Sequence, residues 1–494
     1  MLILLTFLPV FIFVAIKLML KGPHTRSYSI GTVKLPALVR NRTLRLLLLL
    51  FGIIVLNFIA QADPTPSERI LASIILILGL VPTFFYIKKN ESGIPFLPLF
   101  GAIYSIYYSL PIFLLEGYFV HFISLPHDSL EKALLLAAVG LILLLLAYYK
   151  LPGKSIGRYL PRISIYWNPQ RAQFLAIILG VFGLGASYLI LTVHVPAQFA
   201  QIVLFLAQLS IIAIGILFIL QLQGRLNKDG KLILWGVFLP LLLTLRLGTG
   251  AIAQVLFIII FMSLTYWCFR RKMPWKTALG GVLLIFVLLG VRGEFRELTW
   301  GGIYAGKSPI VKSMLFAEMV FTGKESYDKG IIKASTRTAH ILSFAHVVEL
   351  TPEAVPYWMG KTYHTLLWTP IPRIIFPWKP TNILGQDFGH RYGFLHPSDY
   401  TTSFNMTQLV ETYANFGVIG VIIGMFIIGI IYRALYEMLC HPKAGEGGFL
   451  IGLFIFMGLA NIESDFSVVF GAVIYYIILL AIIMRLIRRR SPVR

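Results

Sequence analysis

Four polar residues, Gln408, Glu411, Thr412 and Asn415, stand at i, i+3, i+4 and i+7 in an otherwise apolar stretch. That spacing places them on one helical face. A single carboxylate among amides and hydroxyls has the chemistry of a general base, so Glu411 is the candidate base and Tyr413 a neighbouring donor. A second set is cationic. Arg246 lies in RLGTG, Arg292 and Arg296 in VRGEFR, Arg373 and Lys379 in a proline-rich run, and Arg391 soon after it. Guanidinium groups placed where apolar sequence gives way to polar suit phosphate or pyrophosphate, which they grip bidentately. Pairing with Glu294, Glu297 or Asp387 is the plainer use of the same charges. His396 and Asp399, in HPSD, form a reserve acid–base pair.

Other chemistries lack their residues. His340, His346, His364, His390 and His396 fall within one long segment but show no metal-ligand spacing, and neither HExxH nor DxD occurs. No Walker motif, GxSxG elbow or dinucleotide fingerprint is present. Neither a metal nor a cofactor is expected.

The elements that position these residues are membrane helices. Of 494 residues, 57% are hydrophobic and 13% charged, a balance unlike that of soluble domains. At about 20 apolar residues per crossing, thirteen spans are expected: 2–20, 44–61, 69–87, 94–115, 130–149, 172–192, 198–221, 232–245, 251–269, 277–291, 406–436, 448–462 and 466–487. The first reads as an uncleaved anchor, with Lys17 and Lys21 at its end and no basic region before it. The fold class is therefore all-α, a polytopic membrane bundle.

The net charge of +22 is largely topology. Basic residues concentrate in alternate loops: six between Lys21 and Arg45, then Lys150 to Arg171, Arg225 to Lys231, Arg270 to Lys276 and Arg485 to Arg494. The intervening loops carry Asp63, Glu68, Glu116, Asp128, Glu463 and Asp465. By the positive-inside rule the basic set is cytoplasmic, the N-terminus outside and the C-terminus inside. Nucleic acid is not needed to explain the charge, and Cys268 and Cys440, at cytoplasmic helix ends, stay reduced.

The chain divides into a ten-helix bundle (1–292), a large extracytoplasmic loop (293–404) and C-terminal helices with a basic tail (405–494). Within the loop, Ser308 to Leu350 has helical spacing and is expected to form amphipathic helices resting on the membrane surface. Pro370, Pro372, Pro377 and Pro380 then forbid a regular helix and impose an extended path. Trp368 and Trp378 flank that path as interfacial aromatics do.

The run PRIIFPWKP, followed about thirty residues later by QLVETYANFGVIG, resembles the signature of the Wzy-type oligosaccharide repeat-unit polymerases. The matching positions are Pro372, Arg373, Pro377, Lys379 and Pro380, then Glu411, Tyr413, Asn415, Phe416 and Gly417, with Arg246 similar to an arginine at the outer start of an earlier family helix. The resemblance implies a GT-C-like membrane glycosyltransferase of the bacterial cytoplasmic membrane, working at its outer face. It implies undecaprenyl-diphosphate-linked oligosaccharides as substrates, with the growing chain passed from its lipid diphosphate to a new repeat unit. A chain-length regulator and a flippase would be partners. Under it Arg246, Arg292, Arg373 and Lys379 bind diphosphate, and Glu411, with His396 or Asp399 in reserve, supplies the base. Arg296, Arg391, Gln408, Tyr413 and Asn415 line the substrate cavity.

Two other readings use the same residues. An O-antigen-ligase-like enzyme takes the same donor to a different acceptor. A lipid-oligosaccharide or solute transporter would show inverted repeats and midplane charges, which the sequence lacks.

Overall fold

Caps fix where the long apolar segments begin. The computed structural model describes residues 52, 57 and 64–488, except 89–92, 116–118, 121–122, 151–154, 157–158, 161–162, 194, 251, 271–279, 281–290, 323–337, 370, 372, 374, 381–382 and 441–443. Helix α1 (Pro66–Lys88) starts from a reciprocal cap: the Thr65 N–H donates to Glu68 Oε2 at 2.8 Å and the Glu68 N–H to Thr65 Oγ1 at 3.3 Å. After it come α2 (Phe96–Tyr108), the short α3 (Leu110–Leu114) and a two-residue antiparallel pair, Phe119–Val120 with Ile123–Ser124. Helix α4 (His127–Tyr149) is followed by α5 (Pro169–Thr192), which has Asn168 as its cap and proline at its first position. Next are α6 (Ala197–Leu222), α7 (Lys228–Leu247, with a π-helical turn over Ile233–Phe238) and α8 (Ile252–Arg270).

Residues 291–296 are helical and run into a π-helical turn at Glu297–Gly301. Beyond lie α9 (Pro309–Thr322), α10 (His340–Leu350), a 3-10 segment (Lys361–Leu367) and α11 (Leu384–Arg391). Helices α12 (Gln408–Leu439), α13 (Gly445–Leu459) and α14 (Phe466–Ile487) are the last described ones, α12 capped by Thr407 and α14 by Asp465.

Eight of the described helices are long and apolar enough to cross a membrane: α1, α4, α5, α6, α7, α8, α12 and α14. The protein is thus helical and of transmembrane character. The expected span 2–20 and nearly all of 44–61 and of 277–291 lie outside the described residues. The spans expected at 94–115 and 448–462 are shorter helices, of 13 and 15 residues. Ser109 ends α2, where Pro111 cannot continue its hydrogen bonding. A large core holds Ile75, Phe344 and Leu453, and a smaller separate one joins Ile252, Phe295 and Phe316. Helices α1 and α2 touch backbone to backbone: a Cβ at Gly79 would lie 2.6 Å from the Gly101 carbonyl oxygen, and one at Gly101 would lie 2.2 Å from that of Gly79. Small residues permit such close crossings in membrane bundles.

Two elements depart from the sequence expectation. Helix α10 is not an amphipathic surface helix, because every residue from His340 to Val348 is buried, packed against α4 and α2. The α12 segment is not one straight span either. Phe416 (φ −141°, ψ 18°) and Gly417 (φ 60°, ψ −143°) leave helical geometry and divide it into an arm at 408–415 and an arm at 418–439.

The arms fold back on each other. A Cβ at Gly420 would lie 2.0 Å from the Thr412 carbonyl oxygen, and one at Gly424 would lie 2.5 Å from the Thr412 methyl. The Tyr432 hydroxyl donates to Gln408 Oε1 at 3.2 Å. In a straight helix those two residues would be about 36 Å apart.

Gly417 has to be glycine twice over. Its backbone lies in a region open essentially to glycine alone, and a Cβ there would meet the Tyr357 hydroxyl at 2.6 Å. Gly417→Ala is expected to destabilise the fold by about 1–3 kcal/mol from backbone strain alone. Adding Tyr357→Phe should recover only the steric part. Thermal unfolding of the detergent-purified protein reads this, and an unchanged midpoint in Gly417→Ala would contradict the break.

Candidate functional site

Breaking a helix inside an apolar bundle orphans its last carbonyls, which must find donors. Here they find the loop at 358–360. The Trp358 N–H donates to Ala414 O at 3.0 Å and the Met359 N–H to Asn415 O at 3.2 Å. The Gly360 N–H donates to Asn415 Oδ1 at 2.8 Å. Asn415 Nδ2 donates in turn to Thr362 Oγ1 at 2.7 Å and to the Glu411 carbonyl at 2.8 Å. The expected polar face therefore exists, but protein fills the space beside it. Gln408, Glu411, Thr412 and Asn415 are all buried.

Glu411 is fully buried, and its Oε2 accepts the Phe466 N–H at 2.6 Å, so it holds the first turn of α14. Its Oε1 has no hydrogen-bond partner among the described residues. Tyr413 turns away from this face into the core, donating to Thr351 O at 3.3 Å with its ring edge-on to Phe344.

The ETYANFG arm meets α14 directly, and the proline run reaches it through Thr369, the residue just ahead of that run. Thr369 packs on Gly471, where an added Cβ would come within 2.3 Å of its methyl. Lys379 Nζ donates to Thr369 O at 3.0 Å and to Ile371 O at 2.9 Å. Arg373 donates to Lys379 O at 2.6 Å and to Pro380 O at 3.2 Å. These cations knit the proline run into a closed loop. Partial burial, and then the charge of Arg373 beside it, lower the Lys379 ammonium from its usual range.

The other arginines gather elsewhere. Arg246 Nη1 donates to Gln254 Oε1 at 2.7 Å, while its buried Nε has no partner among the described residues. The Arg296 stem approaches the same turn, 3.6 Å from where a Cβ on Gly250 would stand, and its guanidinium lies 4.4 Å over the Trp300 ring. Arg292 precedes it by one helical turn. Arg391 stacks at 4.8 Å on Trp358, the residue that caps the broken helix, and donates to Pro356 O. The contacts of these cations fall at the turn at 248–250, within the proline loop and on the Trp358 cap.

His396 and Asp399 are exposed and tied to their own turn. His396 Nδ1 is 2.7 Å from Ser398 Oγ. Asp399 Oδ1 accepts from the Thr401 N–H and hydroxyl, both at 3.0 Å, and from the Thr402 N–H at 2.9 Å. Those bonds, from Thr402 and Thr401, hold the Asp399 carboxyl well below the usual carboxylate range. A carboxylate so stabilised is a weak base.

Asp465 was read from sequence only as an acidic loop residue, yet it stands at the centre of the site. Its Oδ1 caps α14 by accepting the Val468 N–H at 3.0 Å, and it also lines an open cleft with Ser403, Phe404, Asn405, Met406 and Ser464. Burial raises its carboxyl above the usual range. An aspartate immediately before an apolar run is a helix-start signal, and that signal marks it in the sequence. Thr362 and Trp358, which bind the broken arm, have no comparable mark.

The hydrogen bond from Phe466 gives Glu411 a structural duty that glutamine can also fill. Glu411→Ala, which leaves that N–H buried and unpaired, is expected to cost about 1–3 kcal/mol more than Glu411→Gln. Equal thermal midpoints for the two variants would remove the bond from the account.

Residues 135–493 match the family described as a domain of unknown function (DUF8712), and the chain belongs to that family. No curated relative and no solved structure matches it.

Proposed function

We propose that this protein is a repeat-unit polymerase, transferring a growing glycan from an undecaprenyl-diphosphate carrier to a lipid-linked oligosaccharide at the outer face of the bacterial cytoplasmic membrane. One observation carries the reading. The ETYANFG arm meets the first turns of α14 directly, Glu411 accepting the Phe466 N–H, and the proline run is tied to the same helix through Thr369, whose carbonyl Lys379 binds and whose methyl packs on Gly471. The helix that both reach is capped by the buried Asp465, beside the buried Glu411.

The chemistry follows from the parts. The donor's diphosphate leaves with a growing negative charge, which arginines stabilise electrostatically at a desolvated edge. Arg246, half-buried with one donor group unpaired, has the capacity for that contact, and Arg292 and Arg296 extend the positive surface. The acceptor hydroxyl needs a base, and the carboxylates of Glu411 and Asp465 supply the candidates. No nucleotide sugar is required, because the lipid diphosphate is itself the activated donor. Under this reading the large loop is extracytoplasmic, and a chain-length regulator and a flippase would work beside it.

The test is elongation in proteoliposomes. Wild-type protein given undecaprenyl-diphosphate-linked repeat units is expected to produce a ladder of lengths. Arg246→Ala should reduce the rate about 100-fold or more, the loss typical of one transition-state donor. Absence of any ladder from folded wild-type protein would refute polymerisation, and an unimpaired Arg246→Ala would refute the diphosphate contact.

A further inference from the structure

We propose that the cleft between residues 403–406 and the start of α14 receives the acceptor sugar, and that Asp465, rather than Glu411, takes the proton from its attacking hydroxyl. This deepens the polymerase reading and rests on it.

The cleft has the mixed surface that a sugar ring matches. Ser403, Asn405, Ser464 and Asp465 offer hydrogen-bonding groups for hydroxyls, while Phe404 and Met406 offer apolar contact for ring C–H faces. Phe404 is held rigid by stacking on Phe394 at 4.3 Å between ring centroids. The lining is chiefly polar, and a few converging polar groups are what orient a bound small ligand.

Access separates the two carboxylates. Glu411 is fully buried and does not line the cleft, and one of its oxygens is engaged by the Phe466 N–H. Asp465 is 8% exposed and lines the cleft. The Val468 N–H occupies one lone pair of its Oδ1, and a carboxylate has others to offer. Burial favours proton uptake at Asp465, in keeping with its raised range. Glu411 then acts as a positioning residue, fixing the turn that carries Asp465.

The transfer balances without any further reagent. The acceptor O–H gives its proton to the Asp465 carboxylate as its oxygen forms a bond to the donor's anomeric carbon. The bond from that carbon to the diphosphate oxygen breaks, and its electron pair leaves on the lipid diphosphate. Protonated Asp465 then releases its proton to water through the open side of the cleft.

The experiment uses the full-length protein in proteoliposomes with purified lipid-linked repeat units. Asparagine and serine cap helices about as well as aspartate, so Asp465→Asn and Asp465→Ser should keep the wild-type thermal midpoint. Both are expected to lower kcat about 100-fold or more, the usual contribution of a general base, with the acceptor KM little changed. Val468→Trp, which fills the cleft from its rim, should instead raise the acceptor KM. If Asp465→Asn or Asp465→Ser elongates within about threefold of wild type, where the loss of a general base should cost 100-fold, the base is not Asp465, while the polymerase reading stands. If Val468→Trp leaves the acceptor KM unchanged, the cleft is not the acceptor site. If wild type itself makes no ladder, the polymerase reading fails and this inference with it.

Discussion

Inside an apolar bundle a backbone N–H or C=O without a partner costs several kcal/mol, so a helix can be interrupted only where other protein takes over its hydrogen bonds. The break at Phe416–Gly417 meets that condition through the N–H groups of Trp358 and Met359, which take the Ala414 and Asn415 carbonyls, while the Gly360 N–H binds the Asn415 side chain. The arrangement of the site depends on this exchange. Without the loop at 358–360 the arm at 408–415 would leave carbonyls unpaired, and the continuous helix would regain them by straightening. With it, the short arm turns back beside the long one and carries Glu411 to the start of α14.

The same exchange explains why polar groups gather so densely at this point. Asn415 serves the loop, the helix and Thr362 at once. Thr407, which caps the arm, also accepts from the Tyr108 hydroxyl at 2.6 Å, joining the end of α2 to it. Each of these groups is buried and paired, and a network paired in this way rigidifies its surroundings. Glu411 Oε1 and Gln408 Nε2 are the atoms left without partners along this face among the described residues. A rigid frame around two carboxylates is what a transfer reaction needs, since the frame need not reorganise as charge moves.

Much of the helical layout was legible in the sequence. The last span, 466–487, coincides with α14, and the spans at 130–149, 172–192 and 198–221 fall within two or three residues of α4, α5 and α6, because length and hydropathy suffice for an uninterrupted apolar helix. The polar face of the ETYANFG segment was legible from its spacing. Its fold-back was not, since a single glycine in an apolar run reads as a tolerated helix residue and only Tyr357 and the 358–360 loop reveal otherwise. The burial of α10 was hidden for a related reason. His340, Ser343 and His346 look like a solvent face, yet His346 Nε2 meets Tyr392 O at 3.1 Å and His340 lies edge-on to Tyr107 at 4.7 Å. How the cations are held was not legible: carbonyls of the proline loop, a glutamine and two indole rings receive contacts from them.

The proline loop and any anion it meets compete for the same donors. Arg373 and Lys379 hold the loop shut through four carbonyl oxygens, those of Thr369, Ile371, Lys379 and Pro380. An anion that draws either cation away gains a charge-assisted bond and releases part of the closure, so anion occupancy and loop order are reciprocally linked. A small, weakly held anion would lose that competition. A multivalent one that reaches both cations together could prevail, and the order of the loop would then report its presence to α14 through the Thr369–Gly471 contact.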